Sequence, residues 1–294
     1  MKRQPFGHFA AIDWSGAAGE RQAGIAVSIC SAEGGAPRLV KPGHRWSRSE
    51  VLDWLLHAMP EGTLAGLDLG ISLPFDDCGA YFPGWSGSPA TARELWAMID
   101  DICGDEPHLA ANRFVDHPVA CEYFRRHGGR EGAHFRKGAI GGRGRFRVTE
   151  HAQHDLGCKP YSNFNLVGAA QVGKSSLTGM RVLHRLSGRV PVWPIDPLPG
   201  SGSLVVEIYT TLAALAAGRS ASRSKMRSRR ELNAALARLD SPEVSRRTRI
   251  DDHTADALLT AAWLRTTAHR KELWHPARMS AEVARTEGWT FGAL

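Results

Sequence analysis

The sequence has no long apolar run and no closely paired cysteines. No window approaches the ~20 consecutive apolar residues of a membrane helix, and the apolar run from Phe9 to Ile12 is too short for a signal peptide. The 5 cysteines are an odd, scattered set without a C-x-x-C pair, which argues against a disulfide framework. We therefore expect a cytoplasmic protein without a membrane partner.

Disorder and low complexity are also excluded by the composition. Hydrophobic residues make up 43% and charged residues 23%, near the globular average, and 31 Gly with 16 Pro fall short of a low-complexity chain. The 294 residues could form two domains. We expect a single domain over residues 1–294 that carries a long insertion at approximately residues 75–190.

The positive charge is unevenly distributed. The 37 Lys and Arg exceed the 30 Asp and Glu by 7, and the excess is concentrated in a Gly-rich stretch at 125–147 and a Ser-rich stretch at 219–230. Flexible basic segments bind phosphates, although either stretch could equally be a solvated surface. The candidate phosphate-binding residues are Arg136, Lys137, Arg143, Arg145, Arg147, Arg227 and Arg229.

The order of the predicted elements indicates an α/β fold. Two hairpins make an antiparallel meander of three strands, a capping box at Ser47–Glu50 starts a helix, and the fourth strand should then run parallel to the first. The predicted strands are Phe9–Asp13, Ala23–Cys30, Arg38–Trp46, Thr63–Leu69 and Leu204–Tyr209. This order matches the ribonuclease H-like fold, a mixed sheet of order 3-2-1-4-5 flanked by helices.

Acidic residues lie inside three apolar strands. Asp13, Asp68 and Glu207 each occupy a segment that is otherwise apolar. An ionised carboxylate in a strand covered on both faces must be paired, protonated or bound to a metal. In the order 3-2-1-4-5 we expect these three side chains to line up across adjacent strands.

A predicted helix near the C-terminus adds further candidate ligands. Asp251 or Asp252 can serve as its N-cap, but Asp256 lies one turn inside, where capping does not explain it. Asp252 and Asp256 are spaced i,i+4, and His253 and Asp256 are spaced i,i+3, so one helix face can present two ligands. Hard oxygen ligands in this number suit Mg²⁺ or Mn²⁺.

These motifs together resemble a known family. Ala11-Ile-Asp13-Trp-Ser-Gly16, Gly66-Leu-Asp68, Val206-Glu207-Ile-Tyr209 and Asp252-His253-x-x-Asp256-Ala257 are similar to the pattern of an uncharacterised family of predicted nucleases with ribonuclease H-like fold. The His-x-x-Asp-Ala helix also resembles the last motif of RuvC-type resolvases. The resemblance covers most of the chain, and the basic insertion is its least recognisable part.

The resemblance implies phosphodiester hydrolysis with two divalent ions, Mg or Mn. Asp13 would bridge the ions, Asp68 and Asp256 would hold one each, and Glu207 or His253 would complete a shell. Asp13, Asp68, Glu207 and Asp256 are thus the candidate catalytic residues, and Asp252 and His253 are further candidate metal ligands. Basic side chains of the insertion would hold flanking phosphates of DNA or RNA. A double-stranded cut would need two sites and is compatible with a homodimer.

The sequence also allows two other functions. Gly168 to Ser175 matches the Walker A pattern, and the actin-like kinases share the same fold, so an ATP-binding phosphotransferase or NTPase is one alternative. A Walker loop needs a buried strand before it, and the residues preceding Gly168 are too polar for one. A non-catalytic nucleic-acid-binding module is the other alternative.

Overall fold

A computed structural model of the chain describes residues 6–135, 140–168 and 172–294. Its strands are β1 His8–Asp13, β2 Ala26–Ser31, β3 Gly34–Leu39, β4 Thr63–Asp68, β5 Val192–Trp193 and β6 Leu204–Glu207. Its α-helices are α1 Arg48–Asp53, α2 Ala92–Ile102, α3 Asn112–Val115, α4 Val148–Asp155, α5 Val172–Arg185, α6 Thr210–Ala216, α7 Arg229–Ala237, α8 Asp252–Thr267 and α9 Ala281–Thr286. A π-helical turn, Trp54–Ala58, continues α1, and short 3₁₀ helices occur at Pro107–Leu109, Ala120–Tyr123, His127–Gly129, Ile140–Gly142, Ala221–Arg223 and Lys271–Leu273.

The strands form one mixed sheet in the order β3-β2-β1-β4-β6-β5. The predicted meander is confirmed, because β1 pairs antiparallel with β2 and β2 with β3. The parallel pairing of β4 with β1 is confirmed as well. The predicted five-strand order is incomplete, because the edge strand β5 pairs parallel with β6. Two residues between Pro191 and Pro194 are too few to show strand alternation, so the sequence reads there as a connector.

Two of the predicted boundaries are wrong. The third strand is Gly34–Leu39 rather than Arg38–Trp46, because the turn after β2 is tighter than the sequence suggested. The pair Ser88-Pro89 predicts a helix start, as a typical N-cap and N1 pair, but the helix begins at Ala92, where Thr91 and Glu94 form a capping box. The capping box at Ser47 and Glu50 is confirmed.

Each face of the sheet is covered by its own apolar layer. Ile12, Leu67 and Val205 contribute to the layer that includes α2 and α5, which we call the insertion face. Phe9, Ala11, Leu64 and Val206 contribute to the layer that includes α6, α7 and α8, which we call the α8 face. Successive strand residues point to opposite faces, so the parity of a residue decides which layer its side chain enters.

Helix α8 lies directly on the central strands. Ser28 Oγ donates to the Ala257 carbonyl at 2.7 Å and Cys30 Sγ donates to the Ala261 carbonyl at 3.3 Å, which fixes the helix against β2. Gly66 allows close packing on the same face, since a Cβ there would lie 2.5 Å from Ile208 and 3.2 Å from Leu264. The start of α8 is thereby held beside the ends of β1 and β4.

The long segment between β4 and β5 builds the other side of the molecule. Its helices α2 and α5 pack together on the insertion face. Buried hydrogen bonds connect this segment to the last part of the chain. The Glu287 carboxylate accepts from the Phe75, Asp76 and Val148 amides at 2.6–2.8 Å. The helices α2 and α5 of this segment thus cover the insertion face, whereas its residues Ala152 and Cys158 belong to the layer of the α8 face. No helix within the described ranges is both long and apolar enough to cross a bilayer.

Arg147 and Arg145 are structural residues, which corrects their predicted role as phosphate ligands. Arg147 is 1% exposed, and its guanidinium donates to Glu150 and Glu207, each at 2.6 Å from Nη2. Arg145 is 4% exposed and binds Asp77 at 2.6 Å together with three main-chain carbonyls. A buried guanidinium with its donors occupied cannot contact a phosphate, and no local sequence signal separates it from exposed neighbours.

We expect Arg147→Met to destabilise the protein by about 3–5 kcal/mol, because removing the cation leaves Glu150 and Glu207 buried without it. Burial already raises the pKa of Glu150 to about 7 with Arg147 present. The free energy of unfolding, measured in urea, tests the expectation, with the exposed Arg189→Met as control. A loss below about 1 kcal/mol would show that the network does not hold the insertion face.

Candidate active site

Two of the predicted carboxylates come from neighbouring strands. In the parallel pairing of β1 with β4, Asp13 lies opposite Asp68, and each is the last residue of its strand. Adjacent strands are about 4.8 Å apart, so the two side chains project side by side from the α8 face. Asp13 is 6% exposed, and Asp68 lies 3.4 Å from both the amide and the hydroxyl of Thr210 at the start of α6.

Helix α8 supplies the third carboxylate and an imidazole. Asp251 caps the helix with its side chain, so the residues of the first turn and a half are held over the strand ends. Asp256 is 5% exposed, and its charge acts on Asp68. His253 Nδ1 lies 2.9 Å from Asp13 Oδ2, which joins the helix to β1. Asp252, the remaining candidate, is instead paired with Arg227 at 2.8 Å.

Glu207 does not line up with Asp13 and Asp68, contrary to the prediction. In the pairing of β4 with β6 it lies opposite Leu67, one residue before Asp68, so its side chain belongs to the insertion face. Its carboxylate accepts from Arg147 and from the Ile71 amide at 2.8 Å, and also from Thr290 Oγ1. The reason is register, because a shift of one residue moves a side chain to the opposite face.

A lysine completes the cluster. Lys225 Nζ hydrogen-bonds to Asp256 Oδ2, and its charge also acts on Asp13 and Asp68. The lysine comes from the basic stretch between α6 and α7. The backbone there is held by Arg219, which donates to the carbonyls of Arg223 and Lys225 at 2.8 and 3.2 Å. The sequence shows Lys225 as part of a basic stretch, and no local pattern connects it to the acids. The contact between Lys225 and Asp256 spans 31 residues.

The electrostatics of the cluster are those of crowded, poorly solvated acids. Burial, together with the charges of Asp13 and Asp256, raises the pKa of Asp68 to about 8. Burial also raises the pKa of Asp256 to about 6. The hydrogen bond to Asp13 raises the pKa of His253. Burial disfavours the Lys225 ammonium, but the Asp256 charge outweighs it and the pKa of Lys225 is raised. The site therefore favours binding of positive charge.

The cluster opens into a cleft of about 580 Å³. Asp68, Lys225 and His253 line one side of it, and Lys159, Tyr161 and Ser175 line the side formed by the insertion. Tyr161 is 37% exposed and lies under the Arg143 guanidinium, 5.3 Å from its ring centroid. The cleft thus combines acids at its base with cations and an aromatic ring at its rim.

The other predicted phosphate-binding residues are scattered. Arg143 is at the cleft rim through Tyr161, Arg227 is exposed and paired with Asp252, and Arg229 donates to the carbonyls of Arg246 and Thr248. Arg136 and Lys137 lie outside the described residues. Of the predicted set, Arg147 lines the cleft, buried and paired with Glu150 and Glu207, and Arg143 lies beside the cleft on Tyr161.

The carboxylates do not form a ready-made metal cage. Within the described ranges, no group of three or more His, Cys, Asp and Glu side chains is arranged to hold a metal ion. Lys225 takes up the cationic position beside Asp256 instead. The chemistry of the donors nevertheless fits Mg²⁺ or Mn²⁺, because Asp13, Asp68 and Asp256 offer hard oxygen ligands on one face.

The Walker-like segment lacks the surroundings that a Walker loop needs. Helix α5 begins at Val172, and residues 161–168 contain turns and an isolated bridge at Asn165 rather than a strand. A Cβ at Gly16 would lie 2.5 Å from the backbone of Lys174 and Ser175, so the loop after β1 packs onto the first turn of α5. Residues 169–171 lie outside the described part of the chain.

Neither family models, curated proteins nor solved structures gave a match to this chain.

We expect Asp68→Asn to make stability less dependent on pH in metal-free buffer. Between about pH 4 and 8 an unfolded Asp68 is ionised whereas the folded one keeps its proton, so wild-type stability falls as pH rises. The variant should gain roughly 2–4 kcal/mol relative to wild type between pH 5 and pH 8, since one pKa unit is ~1.4 kcal/mol. Urea unfolding with EDTA at both pH values measures the gain. The exposed Asp53→Asn is the control, and equal pH slopes for wild type and Asp68→Asn would contradict the expectation.

Proposed function

We propose that this chain is a metal-dependent nuclease of ribonuclease H-like fold that hydrolyses phosphodiester bonds. One observation carries the proposal: Asp13, Asp68 and Asp256, from two neighbouring strands and one helix, share one face around a single cationic position. The strand order β3-β2-β1-β4-β6 agrees with the fold that the sequence resembles.

The three carboxylates have distinct surroundings that suit such a site. The charge of Asp13 acts on both Asp68 and Asp256. The Asp13 carboxylate is oriented by His253 Nδ1, 2.9 Å from Asp13 Oδ2. Asp68 has weak partners in Thr210, so its oxygens remain available. Asp256 is held by Lys225 alone among the contacts of the described residues. Divalent ions bound here would lower the pKa of an attacking water and stabilise the leaving oxygen.

The cleft supplies the means to hold a polyanion above these acids. Lys159, and Arg143 stacked on Tyr161, present cations and an aromatic ring at the rim. Such a combination binds phosphates by charge and bases by stacking. His253 keeps Asp13 oriented, and the hydrogen bond to Asp13 raises the pKa of His253.

We expect Asp13→Asn and Asp256→Asn each to lower Mn²⁺-dependent cleavage by at least ~100-fold, because each removes a charged oxygen ligand. Gel assays with single-stranded, branched, duplex and RNA–DNA hybrid substrates, with Mg²⁺, Mn²⁺ or EDTA, measure the rates. Asp53→Asn serves as a matched control on an exposed aspartate.

Cleavage that survives both substitutions would refute the nuclease assignment. Tight, salt-dependent binding without cleavage under any metal would instead identify a non-catalytic binding module. A rise in melting temperature with ATP and Mg²⁺ that is lost in Lys174→Ala would identify a nucleotide-binding enzyme.

Lys225 and a metal ion compete for the same carboxylates in this proposal. We expect Lys225→Met to tighten Mn²⁺ binding about tenfold or more, a gain of ~1.4 kcal/mol, because the ion then displaces no ammonium. Titration calorimetry measures the affinity, and the melting temperature without metal should fall because the acids lose their cation. Lys159→Met, in the same cleft and without a described carboxylate partner, is the control. An unchanged or weaker Mn²⁺ affinity in Lys225→Met would contradict the competition.

A further inference from the structure

A second, smaller cavity lies beside the cleft. It has a volume of about 250 Å³, and we call it the side cavity. Its walls are the loop from Gly16 to Gly19, the turn and short helix between Glu106 and Asp116, Arg126 with His127, and the first two turns of α5. The candidate catalytic acids are not among its lining residues.

The side cavity carries cations whose hydrogen-bonding capacity is not used up. Lys174 Nζ lies 3.4 Å from His127 Nε2 and has no carboxylate partner among the described residues. Arg126 Nε is buried without a hydrogen-bond partner, and the nearest acid to this guanidinium is Asp116, at 3.8 Å from Nη1. An unpaired buried donor is costly unless a ligand or water takes it up.

A buried arginine adds to the positive field of this wall. Arg48 is 1% exposed and donates to the main-chain carbonyls of Ser15 and His108 at 2.9–3.1 Å. Burial, assisted by the charge of Arg181, lowers the pKa of Arg48 to about 10. Two acids also line the cavity: Glu106 accepts from Asn112 at 2.9 Å, and Asp116 lies 3.8 Å from Arg126 Nη1. The cations Arg48, Arg126 and Lys174 outnumber these acids, so the cavity favours an anion.

The side cavity and the cleft share a thin partition. Gly16 and Ala17 line both, and the neighbouring residues Lys174 and Ser175 line one each. Gly16 is required here because the loop backbone touches the backbone of α5. Gly16 follows Asp13 by three residues, so the Gly16 Cα lies at most about 11 Å from the Asp13 Cα.

We propose that the side cavity is an anion subsite that takes a non-scissile phosphate of the polynucleotide strand bound in the cleft. The inference rests on the proposed function, because it supplies the strand. Lys174 acts as the point charge for the phosphate, and Arg126 and His127 donate hydrogen bonds. A volume below the ~300–1,000 Å³ of usual small-molecule sites suits one phosphate with its sugar better than a whole nucleoside triphosphate.

The test measures strand binding without cleavage. Fluorescence anisotropy of a labelled single-stranded oligonucleotide, in EDTA and over a range of NaCl, gives the dissociation constant and its salt slope. We expect Lys174→Met to weaken binding about five- to tenfold and to lower the slope by ~0.7, the value for one contact to a single strand. Arg126→Gln with Lys174→Met should lower it by ~1.4, whereas Lys174→Arg should keep it.

The control is Lys271→Met, an exposed lysine that lines neither cavity. An unchanged slope in Lys174→Met, an equal loss in Lys271→Met, or no strand binding by the wild type would each overturn the subsite. Calorimetry with ATP and with pyrophosphate separates the two phosphate sources. Binding of either that depends on Lys174, with strand binding unaffected, would overturn the strand assignment in favour of a free nucleotide.

The phosphate subsite and the nuclease activity can each be refuted without the other. A Lys174-dependent salt slope in a protein that cleaves nothing would support the subsite and refute the nuclease. Metal-dependent cleavage with a slope that ignores Lys174 would refute the subsite and leave the nuclease standing.

Discussion

The parallel pairing of β1 with β4 is the constraint on which the site depends. It puts Asp13 opposite Asp68 at the ends of two central strands, so two carboxylates leave the sheet on one face at the spacing of adjacent strands. The elements that pack on this face must therefore supply groups that compensate the charge of these carboxylates. Helix α8 does so with His253 on Asp13, and the loop after α6 does so with Lys225 on Asp256.

The acids belong to two clusters on opposite faces of the sheet, and Asp68 of one and Glu150 and Glu207 of the other line the same cleft. On the insertion face, Glu207 and Glu150 are neutralised by Arg147, a permanent cation with its donors directed at both acids. On the α8 face, the acids are balanced by Lys225, whose side chain is 56% exposed. A fixed guanidinium suits a structural role, and a flexible ammonium can leave. The difference between the two cations is the physical basis for placing chemistry on one face only.

The side cavity extends this division of charge. Its cations lie behind the loop after β1, away from the acids but separated from them by little more than Gly16 and Ala17. Acids at the base of the cleft and cations around it would suit metal ions in the middle and a phosphate backbone on either side. The loop at Gly16 packs closely on the backbone of Lys174 and Ser175 in the Walker-like segment.

Local patterns gave much of the fold and part of the site. The meander, the fourth strand, the capping box at Ser47 and the N-cap at Asp251 all depend on neighbouring residues, and all are found. Asp13 and Asp68 stood out because each lies in an otherwise apolar strand, and Asp256 because capping does not explain an acid one turn inside a helix; the structure brings these residues together. The two-residue strand β5 was missed because pairing with β6, rather than its own sequence, makes it a strand.

The sequence by itself therefore determined which acids need a partner, a proton or a metal ion, since a carboxylate in an apolar segment is costly wherever that segment folds. Only the tertiary structure decided which cation meets which acid. The face of Glu207 depends on the register of β6 against β4, and a one-residue difference reverses it. Lys225 and Arg147 both line the cleft, and only long-range packing leaves the side chain of one exposed and buries that of the other between two glutamates.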